Sequence, residues 1–450
     1  MPPTPIAPLM NPSAPTRCLD RVQSFVQASA QPSASAVFTR IDAATALATA
    51  ELVDREALQG PLQGWLISLK DNLDVAGQVT TGGSRVCEGD APAMTDAPVV
   101  ARLRAAGAVL VGRTNMTEFA FSGVGINPHH GTPVNPCDAE VARIPGGSSA
   151  GAAVSVALGL VRAGIGTDTG GSLRIPAALC GLVGFKSSQS RIPTQGVLEL
   201  SRSLDTVGAI TRSVADNLRV DAVLSHDPLP TEPSSLKGRR FAVPQTLLLD
   251  DLSPEVAQAF ARSLSRLSQA GAEVVEIPLR ELNEIAVRSQ PAGISPIEAY
   301  AAHHHRWAQA PERVDPRVMA RMQLGANVAA HDYLRLLDAR REWIQAVQAV
   351  LQGFDALLCP TVPMTAPAIA PLLASDAAFF EANRLLLRNP SVINYLDGCA
   401  FSLPCHEPGS LPIGLMLAAP HGADARLAGL ALSLERLLSP AQALGNHDRM

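Results

Sequence analysis

Two turns of the same spelling lie 24 residues apart, Gly146-Gly147-Ser148 and Gly170-Gly171-Ser172. Paired glycines let successive backbone N–H groups face one small cavity without a Cβ in the way, so a serine there can attack a carbonyl carbon beside ready oxyanion donors. In the second turn those donors would be the N–H groups of the paired glycines and of Ser172 itself, and Asp168 and Arg174 flank it with charges able to pair across it. The first turn also reads as G-x-S-x-G over Gly147-Ser148-Ser149-Ala150-Gly151, the nucleophile-elbow pattern of esterases with a histidine base. Three readings stand open at this point: Ser149 as nucleophile, Ser148 as nucleophile, or a glycine-rich turn without chemistry.

A serine hydroxyl needs a base. None of the ten histidines follows the serines in an evident Ser…Asp…His order. The run His303-His304-His305 predicts a polar surface patch, because adjacent helical side chains point about 100° apart and do not converge on one metal ion. Lysine is the other base, provided burial keeps it neutral. Lys70 ends the apolar run Trp65–Leu69, which would carry it inside, although that segment alone favours a strand-end lysine reaching water. GLVGFKSS (181–188) lacks the glycine that a phosphate-binding loop needs before its lysine, so Lys186 is read as structural.

The elements that must position these residues alternate in type. Residues 17–58 read as helical, 64–70 as a buried strand, 95–107 as a helix capped by Thr95 or Asp96, and the following AVLVG as a strand. A helix follows Gly147 and leads into the strand VRAGIG; RRFAVP (239–244) is another strand. Ser253 and Pro254 open a helix with Val256, Phe260, Leu264 and Leu267 on one face, and AEVVEI, LPIGLML and the helix ADARLAGLALSLERLL complete the pattern. The alternation predicts an α/β fold around a large, mostly buried sheet. The organisation expected is a proline-rich arm and helical segment over 1–58, then a single domain over 59–450. The irregular stretch near 226–238 is read as a surface loop within it.

The chain has 450 residues, 47% of them apolar and 17% charged, with a net charge of −5, which gives no reason to expect nucleic acid or an anionic membrane as partner. Seven scattered cysteines without a C-x-x-C pair predict free thiols, and the prolines of the first residues do not suit a secretion signal. A cytoplasmic protein is expected.

Together, PLQGWLISLKDNLDVAG with TTGGS (61–84), GRTNMTEFAFSG (112–123), RIPGGSSAGAAVSVALGL (143–160) and GIGTDTGGSLRIPAALCGLVGFK (164–186) resemble the amidase signature family. Weaker likeness continues through SLDTVGAITRSV, DALLCPTVP and LPIGLMLAAP. The resemblance implies an α/β fold with a large mixed sheet flanked by helices on both faces, and serine amidohydrolases with a Ser–cisSer–Lys triad: Ser172 as nucleophile, Ser148 as bridging serine and Lys70 as base. The backbone of Thr169, Gly170, Gly171 and Ser172 would form the oxyanion hole, and Ser149 a hydrogen-bonding support. It implies no metal and no organic cofactor. The conserved-type core would lie at about 61–215, a variable pocket region at about 225–355, and the C-terminal part of the sheet at 355–440. Ala150, the stretch FKSSQSRIP and Ala209 depart from residues frequent in the family. The substrate implied is a small-molecule amide; glutamine in an amidotransferase subunit and a carboxybiuret- or urea-like compound are alternatives on the same fold, and a homodimer or a small partner subunit is compatible with it.

Overall fold

The structure, a computed structural model, describes residues 17–308 and 310–438. Most of the proline-rich arm and the last residues of the chain lie outside the described residues.

Eleven strands form one sheet: β1 (Phe38–Ile41), β2 (Leu66–Lys70), β3 (Val109–Thr114), β4 (Ala163–Asp168), β5 (Val183–Lys186), β6 (Thr206–Thr211), β7 (Arg240–Pro244), β8 (Glu273–Ile277), β9 (Ala356–Pro360), β10 (Cys399–Pro404) and β11 (Gly414–Ala419). Their order is β1-β3-β2-β4-β6-β5-β10-β11-β9-β7-β8. The β3-β2-β4 and β9-β7-β8 groups are parallel, whereas the strands between β4 and β9 pair antiparallel, so the sheet is mixed, as the family resemblance implies.

Both faces are buried, and side-chain alternation along the central strands divides the core. In β10 and β11, Phe401, Leu403, Leu415 and Leu417 join a cluster with Leu218, Val256 and Leu427, while Ala400, Met416 and Ala418 join a second cluster with Trp343 and Ile393. Helices therefore cover each face.

The expected helical stretch over 17–58 is corrected. Helix Cys18–Ser29 ends before Pro32, and helix Ala43–Asp54 begins only after β1, which pairs antiparallel with β3 at the sheet edge. Phe38 of that strand packs edge-on against Phe25, with ring centroids 5.5 Å apart, so a tertiary contact overrides the local helical reading. Helix Pro98–Ala105 is shorter than expected at both ends, and Asp96 does not cap it. Its carboxylate instead accepts from the Ala76 N–H (2.8 Å) and Arg104 Nε (2.9 Å). Ser253 and Pro254 do open helix Pro254–Gln269, although the Ser253 hydroxyl makes no capping bond.

Glycines set how closely the helix after the first Gly-Gly-Ser turn lies on the sheet. This helix, Ala150–Ala157, crosses β4, where a Cβ on Gly164 would stand 2.6 Å from the Ala152 carbonyl and one on Gly166 would stand 2.5 Å from Ser149 Oγ. On the helix itself, a Cβ at Gly151 would strike the Val37 carbonyl and lie 2.8 Å from the Asn115 backbone, neither of which can swing aside. Gly151→Ala is expected to cost about 1–3 kcal/mol through overpacking. Gly89→Ala, at a turn with nothing within 4 Å of the added carbon, serves as the control that leaves the melting temperature nearly unchanged in thermal denaturation.

Candidate active site

The parallel neighbours β2 and β4 deliver the lysine and the second serine turn to the same end of the sheet, and the helix Ala150–Ala157 brings the first turn over it. Alternation along β2 puts Ser68 and Lys70 on the face beneath that helix. Ser68 Oγ lies 3.0 Å from Ser155 Oγ near the helix end, and Lys70 Nζ lies 2.7 Å from Ser148 Oγ just before its start. Lys70 is fully buried, not a lysine that reaches water. Its Nζ also contacts Thr167 Oγ1 at 2.8 Å, an atom that accepts from Asn72 Nδ2 at 3.2 Å. Burial pushes the Lys70 amine down to about 7, against the opposing pull of the Asp205 and Asp168 carboxylates.

The Gly147–Ser148 peptide is cis, and Ser148 is fully buried. Ser149 joins the two turns: its N–H lies 3.4 Å from the Ser172 carbonyl, and its hydroxyl donates to the Thr167 carbonyl at 3.3 Å. It is fully buried and is not among the residues that line the cavity. Ser172 does line the cavity.

The expected pair across the second turn forms. Arg174 Nη2 and Nε meet Asp168 Oδ1 and Oδ2 at 2.9 and 3.0 Å with both side chains fully buried, and Asn394 bridges them, accepting from Arg174 at 2.6 Å and donating to Asp168 at 2.9 Å. Burial alone would raise the Asp168 carboxyl; the Arg174 guanidinium and Asn394 amide outweigh it and hold it well below the usual carboxylate range. One expected oxyanion donor is engaged elsewhere: the Gly171 N–H donates to Asp168 Oδ1 at 2.9 Å. Gly171 has φ +123°, and a Cβ there would sit 2.5 Å from Pro390 Cβ, so its role is to let the turn pass beneath that proline. The N–H groups of Thr169, Gly170 and Ser172 make no hydrogen bond among the described residues.

Sequence reasoning missed Thr167, Asp205, Ser391 and Asn394. Asp205 fastens the second serine turn, accepting from Thr169 Oγ1 at 2.5 Å and from the Leu200 and Ser201 N–H groups. Burial raises its carboxyl to about 6 despite those bonds. Ser391 Oγ donates to the Gly170 carbonyl at 3.2 Å. Thr167 and Asp205 lie inside motif blocks read for their glycines and strands; Ser391 and Asn394 come from helix Asp376–Tyr395, more than two hundred residues away in the chain, with no local signal.

A cavity of about 280 Å³ opens at Thr169, Gly170 and Ser172 and is walled largely by apolar side chains, Leu204, Ile294 and Val392 among them. The histidine run is corrected in part. His304 and His305 are exposed, but His303 is buried, tilted against Phe119 with ring centroids 4.6 Å apart, and its Nε2 lies 2.6 Å from the Glu199 carbonyl. Lys186, buried, donates to the carbonyls of Gly398 (2.6 Å) and Ser187 (2.9 Å), a structural role. No helix is long and apolar enough to cross a membrane among the described residues.

This sheet and the paired serine turns define the class, an amide-hydrolysing enzyme of α/β architecture. The model of the family described as Amidase matches residues 20–428, and the chain belongs to that family, the amidase signature enzymes. It is 36% identical over 404 residues to the 2-amino-5-chloromuconic acid deaminase of Comamonas testosteroni, covering 89% of this chain and 87% of that one. It is 32% identical over 444 residues to an indoleacetamide hydrolase of Allorhizobium ampelinum, covering 94% and 95% respectively. A solved structure described as a crystal structure of amidase superposes with a TM-score of 0.83 at 32% identity, covering 94% of this chain and 97% of the other.

Breaking a buried ion pair leaves an uncompensated charge and costs about 3–5 kcal/mol. Arg174→Met is expected to destabilise the fold by that order in chemical denaturation. Loss of a few tenths of a kcal/mol would show that the pair does not brace the turn.

Proposed function

We propose that the chain hydrolyses the carbon–nitrogen bond of a small-molecule amide through an acyl-enzyme on Ser172, with Ser148 as proton relay and Lys70 as base. The observation that carries this reading is the fully buried Lys70 amine, lowered to about 7 and 2.7 Å from Ser148 Oγ. A neutral amine offers a lone pair, and proton transfer needs hydrogen-bond contact, which Ser148 makes with Lys70.

In the first half-reaction Ser172 Oγ forms a bond to the amide carbon while its proton passes to Ser148 and that of Ser148 to Lys70. The carbonyl oxygen becomes an oxyanion facing the free N–H groups of Thr169, Gly170 and Ser172, with Gly171 serving to shape the turn. Collapse of the tetrahedral intermediate breaks the C–N bond, and the nitrogen leaves with the proton returned along the relay. Water then adds to the acyl-enzyme, gives up its proton by the same route, and frees the carboxylic acid and Ser172. The similarity to an indoleacetamide hydrolase supports an amide as substrate, and the similarity to a muconic acid deaminase supports release of ammonia.

Covalent labelling by a fluorophosphonate probe tests the assignment. Ser172→Ala is expected to abolish labelling and to lower kcat on the order of 10⁴-fold or more, whereas Ser149→Ala should still be labelled. Labelling that survives in Ser172→Ala and vanishes in Ser149→Ala would reverse it. An ammonia-release screen with this chain alone, across glutamine, aliphatic and aryl amides and ureido acids, tests the reaction itself.

A further inference from the structure

Two arginines, Arg321 and Arg388, line the cavity that opens at Ser172, and neither forms an ion pair with a carboxylate among the described residues. Arg321, on helix Pro316–Gln323, lies over the Phe121 ring with its guanidinium carbon 4.1 Å from the centroid, and Nη1 donates to the Phe121 carbonyl. Burial pushes it down to about 10, and no neighbouring charge opposes that. Arg388, on helix Asp376–Tyr395, donates from Nε to Asn389 Oδ1 at 2.9 Å, while its Nη2 is buried without any hydrogen-bond partner. Asp250 and Asp251 act on Arg388 through space, but neither forms an ion pair with it among the described residues.

Both arginines are half-buried. The more deeply buried arginines elsewhere find acceptors: Arg174 meets Asp168, Arg113 meets Asp71 and Arg191 meets Asp221, while Arg340 donates to the carbonyls of Tyr395 and Asn394. A guanidinium removed from water is costly until an anion or a full set of acceptors meets it. Its planar fork also matches a carboxylate better than any neutral group. The rest of the cavity wall is largely apolar, which suits a short carbon skeleton that carries one charge.

We infer that the cavity selects amides bearing a carboxylate, which Arg321 and Arg388 hold while the amide carbon sits at Ser172. This rests on the amide-hydrolysis reading for the reaction and adds the charge of the substrate. The carboxylate can belong to the acyl side, as in the half-amide of a dicarboxylic acid, or to the departing amine, as in an N-acyl amino acid.

Two arms test it. In the first, kcat/KM is measured for glutaramic acid, its neutral counterpart glutaramide, and an N-acyl amino acid paired with its neutral amide. One anionic member is expected to exceed its neutral counterpart at least about tenfold, as charge-assisted hydrogen bonds require, and which pair shows it fixes the side that carries the charge. That ratio should fall toward one in Arg321→Met, Arg388→Met. In the second arm, Ser172→Ala is titrated calorimetrically with glutarate; saturable binding should weaken at least about tenfold with either arginine replaced by Met, and less with Lys. Melting curves identify any variant that is unfolded, and the lysine variants then decide. Neutral amides turned over as well as anionic ones, or glutarate binding that ignores both arginines, would overturn the inference. Turnover of no amide at all would sink the hydrolysis reading, while the glutarate arm would still decide this one.

Discussion

The removal of one amine from water governs the rest of this site. An ammonium at the Lys70 position would have to be stripped of its hydration with only two hydroxyl oxygens in exchange, and burial therefore favours the neutral form. Two carboxylates lie close enough to oppose that outcome, and the fold limits both. Asp168 is bound by Arg174 and Asn394, so its charge is largely spent, and Asp205 is itself raised to about 6 while its oxygens accept from the Thr169 hydroxyl and two backbone N–H groups. The braces of the second serine turn thereby also protect the neutrality of the Lys70 amine.

Close approach of backbone to backbone is the second constraint. Lys70 reaches Ser148 because the helix Ala150–Ala157 rests directly on β4, over Gly164 and Gly166. A side chain at either glycine would lift the helix and the first turn with it. Glycines thus serve two separate purposes here, Gly171 where the second serine turn passes beneath Pro390 and Gly164 and Gly166 where the helix rests on β4.

Much of this was legible in the chain itself. The apolar run before Lys70, the two Gly-Gly-Ser turns and the pairing of Asp168 with Arg174 are local features whose consequences follow from strand alternation and charge. What could not be read locally is what distant segments contribute. β1 is a four-residue edge strand, partly exposed, whose pairing depends on β3 some seventy residues on. Ser391 and Asn394 close on the serine turn from a helix near the C-terminus, and Arg321 and Arg388 reach the cavity from two different helices. His303 was misplaced because its neighbours in the run are exposed, and only the packing of Phe119 shows why it turns inward. The Gly171 N–H was misassigned because its partner, the Asp168 carboxylate, depends on the conformation of the turn.

The chain contains only three lysines, Lys70, Lys186 and the exposed Lys237, so their amines can be followed individually. The direct measurement is a pH titration by NMR of protein carrying [ε-¹³C]lysine, with Lys70 assigned from the missing signal of Lys70→Met. A Lys70 resonance that titrates with a midpoint near 7, distinct from Lys186 near 8, is the predicted result. A Lys70 amine still protonated at pH 10 would contradict the account, because the group beside Ser148 would then be a cation with no lone pair to offer.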